Sequence, residues 1–122
     1  MAWKDFRDLI VWQKAMDAAA EIYKIIKKLP KEELYVLSDQ MRRAAVSIPS
    51  NIAEGQARSS KKEFIRFLSI AQGSRSELET QLLLCVKVEY LSNSDIDTVM
   101  GLLRETGKLL TTLIHSQRLS SL

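Results

Sequence analysis

The sequence predicts an all-α fold, an antiparallel up-down-up-down four-helix bundle formed by a single domain over residues 1–122. Apolar residues recur at alternating spacings of three and four along four segments, which is the period of an amphipathic helix. The 122 residues include only four Gly and two Pro, too few for a turn-rich β-sandwich. The connections between the segments are short, and short connections favour antiparallel neighbours.

The first two helices are separated by Pro30. The first helix ends before Pro30, because the residue that precedes a proline avoids helical backbone. Its apolar stripe consists of Leu9, Trp12, Met16, Ala19, Tyr23 and Ile26. The second helix is expected over residues 32–57, with a kink or a break at Pro49, since proline lacks a backbone donor and crowds the preceding turn.

The third and fourth helices begin at serine caps. Either Ser59 or Ser60 is a suitable N-cap for the third helix, and Glu63 is placed to complete a capping box. The fourth helix is expected to follow the turn at residues 91–94, with Ser94 as its cap. Small residues on the second and third helices predict a close approach between the two; they are Ala44, Ala45, Ser47, Ser50, Ala53, Ala71, Gly73 and Ser74.

The residue types typical of catalysis and metal binding are scarce. We therefore expect no enzymatic activity, no catalytic residue, no metal site, no cofactor and no small-molecule substrate. His115 has no acidic residue three or four positions before it, which argues against the Glu-x-x-His pairs of a di-iron bundle. Cys85 falls on an apolar stripe, where a buried inert thiol is favoured over a nucleophile. Glu54 is expected to cap a helix or form a salt bridge rather than act as a general base.

Cysteine usage and hydropathy indicate the compartment. A single Cys excludes an intramolecular disulfide and suits a reducing cytosol. The charged N-terminus and a longest apolar run of only five residues, 82–86, predict neither a signal peptide nor a membrane span. We therefore expect a cytoplasmic protein that does not enter a membrane.

Positive charge is concentrated in the first part of the chain. Residues 1–75 carry a net charge of +5, whereas residues 76–122 carry −2. The residues at positions 58–66 stand at a helix start, where the helix dipole disfavours cations, so anion binding accounts for them better than local helix stability does. A merely solvated face is the alternative. The predicted nucleic-acid-binding residues are Arg42, Arg43, Arg58, Lys61, Lys62 and Arg66.

A polar stripe on the second helix predicts self-association. Its members are Ser47, Ser50, Asn51 and Glu54. Ser and Asn are weaker helix formers than the Lys and Glu that a plain solvent face prefers, so they suit a wet contact between subunits. In a lone bundle, surplus apolar residues such as Val11 and Ile70 would also face water. The expected assembly is a homo-oligomer.

Three segments resemble one family of four-helix-bundle proteins, which is encoded by intervening sequences within bacterial 23S ribosomal RNA genes. The segments are FRDLIVWQKA at 6–15, RRAAVSIPSNIAEG at 42–55 and FIRFLSIAQGSRSELETQL at 64–82. The resemblance covers nearly the whole chain and implies a homo-oligomer, typically a pentameric ring. A related family, the accessory variability determinant of diversity-generating retroelements, is a basic pentameric bundle that binds nucleic acid and a reverse transcriptase.

Two hypotheses on function remain open at this point. In the first, the protein is a non-enzymatic homo-oligomer that binds RNA, DNA or a ribonucleoprotein through a repeated basic surface. In the second, it is a protein–protein adaptor whose basic patch meets an acidic partner. An enzyme is a third class, for which the residues give little support.

Overall fold

The computed structural model of the chain describes residues 5–120, and four long helices make up most of it. They are α1 (Ile10–Ile25), α2 (Leu37–Ala57), α3 (Lys61–Lys87) and α4 (Asn93–Leu119). Short 3-10 turns occur at Phe6–Asp8, Ile26–Lys28 and Lys31–Glu33. Within residues 5–120 there is no strand, and no helix is long and apolar enough to cross a membrane. The prediction of an all-α four-helix protein is confirmed.

Each helix packs against two neighbours, in the cyclic order α1, α2, α3, α4. The residues in contact run in opposite directions along the neighbouring helices: Met41 with Cys85 and Gly55 with Phe67 between α2 and α3, Lys14 with Glu105 and Lys28 with Asp95 between α1 and α4. The core lies between the four helices. Its largest fully buried side chains include Ile22, Met41, Ile48, Ile52, Leu68, Leu78, Leu82, Leu103 and Leu110.

α2 and α3 lie close together because small residues face each other across their contact. Ala44 and Ala45 on α2 and Ala71 on α3 are all buried. At the end of α2, a Cβ atom added to Gly55 would lie 2.7 Å from the Cβ of Phe67. Backbones approach this closely only where a side chain is absent or small, as the sequence predicted for these two helices.

Pro49 does not break α2, so of the two predicted alternatives, a kink or a break, the break is wrong. The helix continues from Leu37 to Ala57 with Pro49 buried inside it. Proline removes only one backbone hydrogen bond. The neighbouring Ala45, Ile48 and Ile52 are almost fully buried in the core, and this packing holds the helix together across the missing bond.

α2 begins five residues later than the sequence predicted, at Leu37 instead of residue 32. The chain first makes a 3-10 turn at Lys31–Glu33, and Val36 then takes a non-helical conformation (φ −117°, ψ −93°). A tertiary contact holds this turn, because the Tyr90 hydroxyl donates a 2.9 Å hydrogen bond to the Glu33 carboxylate. Residues 31–36 therefore follow the α3–α4 connection rather than their own helix propensity.

Ser60 is the N-cap of α3, one of the two predicted candidates. Its Oγ accepts a 3.0 Å hydrogen bond from the backbone N–H of Glu63. The carboxylate of Glu63 binds Arg66 instead of reaching back to the cap, so the expected reciprocal box is only half formed.

The cap of α4 is Ser92, and the prediction of Ser94 is wrong. Ser92 Oγ accepts from the backbone N–H of Asp95, and the Asp95 carboxylate accepts from the backbone N–H of Ser92 at 2.8 Å. This reciprocal box requires an acidic residue three positions after the capping serine. Both serines meet this requirement, because Asp95 follows Ser92 and Asp97 follows Ser94 at that spacing. Lys28, in the 3-10 turn that follows α1, donates a 2.8 Å hydrogen bond to Asp95 and so favours the box formed by Ser92.

The capping box makes the free energy of unfolding depend on pH in the acid range. The hydrogen bond from Lys28, followed by those from Ser92, holds the pKa of Asp95 at about 2, below its usual 3.8. A carboxyl with a lowered folded pKa stabilises the fold above its unfolded pKa and loses that contribution as pH falls towards the folded value. We expect Asp95→Asn to be less stable than the wild type at neutral pH and to lose less stability between about pH 4 and 2. Urea unfolding at several pH values measures this, and parallel acid losses in both proteins would contradict it.

The close contact between α2 and α3 gives a second prediction. Ala71→Leu should overpack this contact and lower the free energy of unfolding by about 1–3 kcal/mol. Gly73→Ala is the matched control two residues away, because a Cβ at Gly73 meets no atom within 4 Å. The control should stabilise α3 by up to about 1 kcal/mol. Thermal unfolding compares the two, and an unchanged melting temperature for Ala71→Leu would show that the wrong faces have been paired.

Candidate nucleic-acid interface

The structure separates the six predicted nucleic-acid-binding residues into two groups. Arg42 and Arg43 lie in the first half of α2. Arg58 is sixteen residues after Arg42, a distance of about 24 Å along the helix axis. The other four residues surround the turn between α2 and α3, and we name them the junction cluster: Arg58, Lys61, Lys62 and Arg66. The six residues therefore do not form one patch on a single chain.

Arg42 and Arg43 share one carboxylate, that of Asp39. The two N–O distances are 3.1 Å and 2.9 Å. These bonds, that of Arg43 first, hold the pKa of Asp39 below its usual value. The Arg42 side chain is 27% exposed and the Arg43 side chain 78% exposed. Arg43 is therefore the member of this pair that a partner molecule reaches more easily.

The arginines of the junction cluster each bind a carboxylate within one helical turn. Arg58 forms a 2.9 Å salt bridge with Glu54, which is the role expected for Glu54. Arg66 binds Glu63 at 3.1 Å. The hydrogen bond between them lowers the pKa of Glu63 and raises that of Arg66. These exposed pairs fix the side chains without cancelling all the positive charge of the cluster.

Phe67 holds both arginines in place. The guanidinium carbon of Arg58 lies 5.0 Å from the centroid of the Phe67 ring, and that of Arg66 lies 4.5 Å from it. Such cation–π contacts contribute about 0.5–1 kcal/mol each at exposed sites. Phe67 is buried, and its Cβ lies next to Gly55. Two planar cations are thus attached to a rigid support at the end of the bundle.

The lysines of the junction cluster supply its excess charge. Lys61 donates a hydrogen bond to the backbone carbonyl of Ser120, which joins the start of α3 to the end of α4. Lys62 is exposed in the first turn of α3 and forms no ion pair with any residue between 5 and 120. Cations in this turn oppose the helix dipole, so they do not stabilise α3. Their placement is consistent with an anionic partner.

The predicted oligomer interface does not form a single free surface. Ser47 Oγ lies 2.8 Å from Ser74 Oγ of α3, and Asn51 Nδ2 donates to Ser47 at 2.8 Å. Ser47 therefore contributes to the contact between α2 and α3, and Asn51 bonds to Ser47 within α2. Ser50 is exposed towards α1, and Glu54 is exposed beside Arg58. A subunit contact through these four residues stays a prediction.

An apolar groove between α1 and α2 is a feature that the sequence did not reveal. Its volume is about 480 Å³. Three of its lining residues, Met16, Tyr23 and Val46, are 42–47% exposed, although Met16 and Tyr23 belong to the stripe predicted to be buried. Val11, predicted to face water, is only 4% exposed, whereas Ile70 is 39% exposed as expected. We name this feature the α1–α2 groove; Phe6, Trp12, Pro49, Ser50 and Ala53 also line it.

The chemistry of the remaining candidates is limited. Cys85 is buried, its Sγ lies 3.9 Å from the sulfur of Met41, and burial raises the pKa of the thiol. The thiol is therefore protonated at neutral pH and poorly nucleophilic. No three His, Cys, Asp or Glu side chains within the described part of the chain are close enough to hold a metal ion.

Comparison with known proteins adds a family to this geometry. Residues 7–112 match the family described as 23S rRNA-intervening sequence protein. The chain belongs to this family. The resemblance seen in the sequence is thereby confirmed, and the matched residues contain the whole junction cluster. No curated protein matches the sequence at a significant level.

A solved structure supports the fold of this 23S rRNA-intervening sequence protein. It is a protein of unknown function from the S23 ribosomal protein family of Bacteroides thetaiotaomicron VPI-5482. The two chains are 30% identical and superpose with a TM-score of 0.80, over 86% of this chain and 98% of the other. This similarity concerns the fold and says nothing of a ligand.

Proposed function

We propose that this 23S rRNA-intervening sequence protein is a non-enzymatic homo-oligomer that binds nucleic acid through the junction cluster. The observation that carries the proposal is the arrangement of Arg58 and Arg66 on the ring of Phe67, next to the lysines of α3. Arginine offers a planar fork that binds phosphate oxygens with two parallel hydrogen bonds. Its flat face also stacks on unpaired bases, which is a common mode of RNA recognition.

RNA is the nucleic acid to test first. The family description names 23S rRNA, although it does not state that these proteins bind it. The contacts available at the junction cluster are charges and planar cations, which recognise the backbone and the faces of bases rather than their edges. We therefore propose binding with strong salt dependence and little sequence preference.

Self-association through the α1–α2 groove would multiply this surface. The groove is open to solvent and its lining is mainly apolar, and exposed apolar patches of this kind mark interfaces. A pentamer, the assembly that the family resemblance implies, would carry fifteen net positive charges, since each chain carries +3. Each subunit would add one junction cluster, so that a weak site on a single chain becomes a multivalent surface.

Removing the two lysines of the junction cluster tests the nucleic-acid proposal. We expect Lys61→Gln/Lys62→Gln to weaken binding of a mixed-sequence single-stranded RNA about tenfold. The salt slope, that is, the slope of the logarithm of the binding constant against the logarithm of the salt concentration, should become flatter by about 1.4, or about 0.7 for each lost phosphate contact. Fluorescence anisotropy over a range of salt concentrations measures both quantities. Lys24→Gln/Lys27→Gln is the matched control, because it removes the same charge from the end of α1 and the turn that follows it, away from the junction cluster, and should change the affinity and the slope less.

The same titrations assign Arg42 and Arg43. Arg42→Ala/Arg43→Ala is expected to lower RNA affinity and flatten the salt slope without dissociating the oligomer, chiefly through the exposed Arg43. If the slope is unchanged, these two arginines do not contact the RNA, and their role is the salt bridges with Asp39. If the wild type binds neither RNA nor DNA at low salt, the nucleic-acid proposal is wrong.

The oligomer is tested by placing a charge in the α1–α2 groove. Val46→Glu should dissociate the assembly into chains of 13.9 kDa, because an unpaired carboxylate is costly in an apolar contact. Leu83→Glu is the control, since Leu83 is 53% exposed on α3 and does not line the groove. Gel filtration with light scattering measures the mass. A wild type that runs as a single chain at micromolar concentration would contradict self-association.

A second candidate function, a protein–protein adaptor, is favoured by one observation at the other end of the bundle. The residues that connect α1 to α2 and the end of α3 expose a group of large apolar side chains. They are Leu34, Tyr35, Val36, Leu84 and Val88, and Tyr35 is 87% exposed. This candidate becomes the leading one if the wild type fails to bind nucleic acid.

A further inference from the structure

A cleft along the outer side of the α3–α4 contact carries a second group of basic residues. Its volume is about 610 Å³. Three cations, Arg75, Arg104 and Lys108, line it with a single carboxylate, that of Glu79. We name it the α3–α4 cleft. Its cations are far from Arg42 and Arg43 in the sequence, and two of them, Arg104 and Lys108, belong to residues 76–122, whose overall charge is negative.

Arg75 is the most enclosed cation of the cleft. Its side chain is 20% exposed, and its Nε donates a 2.6 Å hydrogen bond to Gln72. A second nitrogen, Nη1, binds Glu79. Within residues 5–120 the remaining nitrogen, Nη2, donates to no other residue, so it is available to an oxyanion.

Gly107 makes room for this guanidinium. A Cβ atom at position 107 would lie 2.6 Å from Nε and 2.7 Å from Cζ of Arg75. Glycine in the middle of a helix costs up to about 1 kcal/mol relative to alanine. Gln72 also donates to the Gly107 carbonyl at 3.1 Å, so the guanidinium is held against the backbone of α4. The arrangement fixes Arg75 in the wall of the cleft.

Arg104 and Lys108 are the unpaired cations of the cleft. They lie four residues apart on one face of α4, and both are exposed. Neither forms an ion pair with a residue of the described chain. Two of the three acidic residues of α4 turn towards α1, because Asp95 binds Lys28 at 2.8 Å and Glu105 binds Lys14 at 3.5 Å. The third, Asp97, does not line the cleft. The cleft therefore keeps an excess of positive charge.

Hydroxyl groups complete the set of donors. Thr111 and Thr112 lie one turn beyond Lys108 and line the same cleft. Guanidinium, ammonium and hydroxyl donors are the groups with which proteins bind phosphate oxygens. The single carboxylate among them is already bound to Arg75 and so does not repel an anion strongly.

We propose that the α3–α4 cleft binds a phosphate group, held by Arg104 and Lys108 with Arg75 at the wall. The phosphate belongs either to the RNA backbone or to a free phosphate compound. For the backbone, the proposal rests on the proposed function and adds a second contact along the strand. Lys61 of the junction cluster donates to Ser120 at the end of α4, the helix that also carries Arg104 and Lys108.

The double variant Arg104→Gln/Lys108→Gln tests the cleft. Both side chains are exposed, so the variant should fold, which circular dichroism verifies. We expect it to bind single-stranded RNA about tenfold more weakly than the wild type, with a salt slope flatter by about 1.4. Lys24→Gln/Lys27→Gln again controls for loss of net charge. In parallel, inorganic phosphate is titrated into labelled protein while the amide signals of residues 107–112 are followed by NMR.

Each outcome decides one proposal. Weaker RNA binding in the variant but not in the control assigns the cleft to the RNA backbone. If phosphate shifts the amide signals of the wild type but not of the variant, and RNA binding is unchanged in the variant, the cleft binds a free phosphate compound. The same assignment follows if the wild type binds phosphate in this way but binds no RNA at all. In that last case the nucleic-acid proposal is wrong, while the proposal of a phosphate site in the cleft is supported. If neither RNA affinity nor the phosphate shifts depend on Arg104 and Lys108, the cleft is not a phosphate site.

Discussion

The contact between Gly55 and Phe67 determines the shape of the basic end of the bundle. Because Gly55 has no side chain, the Cβ of Phe67 and the ring and carbonyl of Phe64 lie directly against the end of α2. The Phe67 ring supports the guanidinium groups of Arg58, which follows α2, and of Arg66 on α3. A contact made for packing therefore also fixes two cations, and a larger residue at position 55 would move both. The proposed nucleic-acid surface depends on this one close approach between α2 and α3.

Charge in this protein is organised by helix face rather than by sequence segment. Residues 76–122 are negative overall, yet two of their cations, Arg104 and Lys108, join Arg75 in the basic α3–α4 cleft, while Asp95 and Glu105 bind Lys28 and Lys14 on the other side of α4. The opposite happens in α2, where Arg42 and Arg43, which the sequence predicts to bind nucleic acid, both bind the carboxylate of Asp39. Counting charges along the chain finds the junction cluster, whose members are close in sequence. It misses the cleft, whose members are joined only by the packing of α3 against α4.

The sequence predicted what local physics decides. Pro30 ends the first helix, Ser60 caps α3, and the apolar periods give four helices. Features that depend on a partner helix were placed less well. Val11 is buried although it was predicted to face water, and Met16 is exposed although it was predicted to be buried. The face of α1 that packs against its neighbours is therefore not centred on its most regular apolar stripe. The late start of α2 depends on the bond from Tyr90, and Lys28 favours Ser92 as the cap of α4. The polar residues of α2 predict a subunit contact, but the helical pattern does not reveal that Ser47 and Asn51 also form hydrogen bonds within the chain.

The most direct measurement of the central claim is an NMR titration of the arginine Nε–Hε signals with single-stranded RNA. It reports on the two proposed surfaces and on arginines outside them at once. The account predicts that Arg58 and Arg66 on Phe67 shift together as RNA is added, and that Arg7, which binds Asp5 outside both surfaces, does not. If RNA binds while the signals of Arg58 and Arg66 stay in place, the cations around Phe67 are not the binding surface, and the account is contradicted.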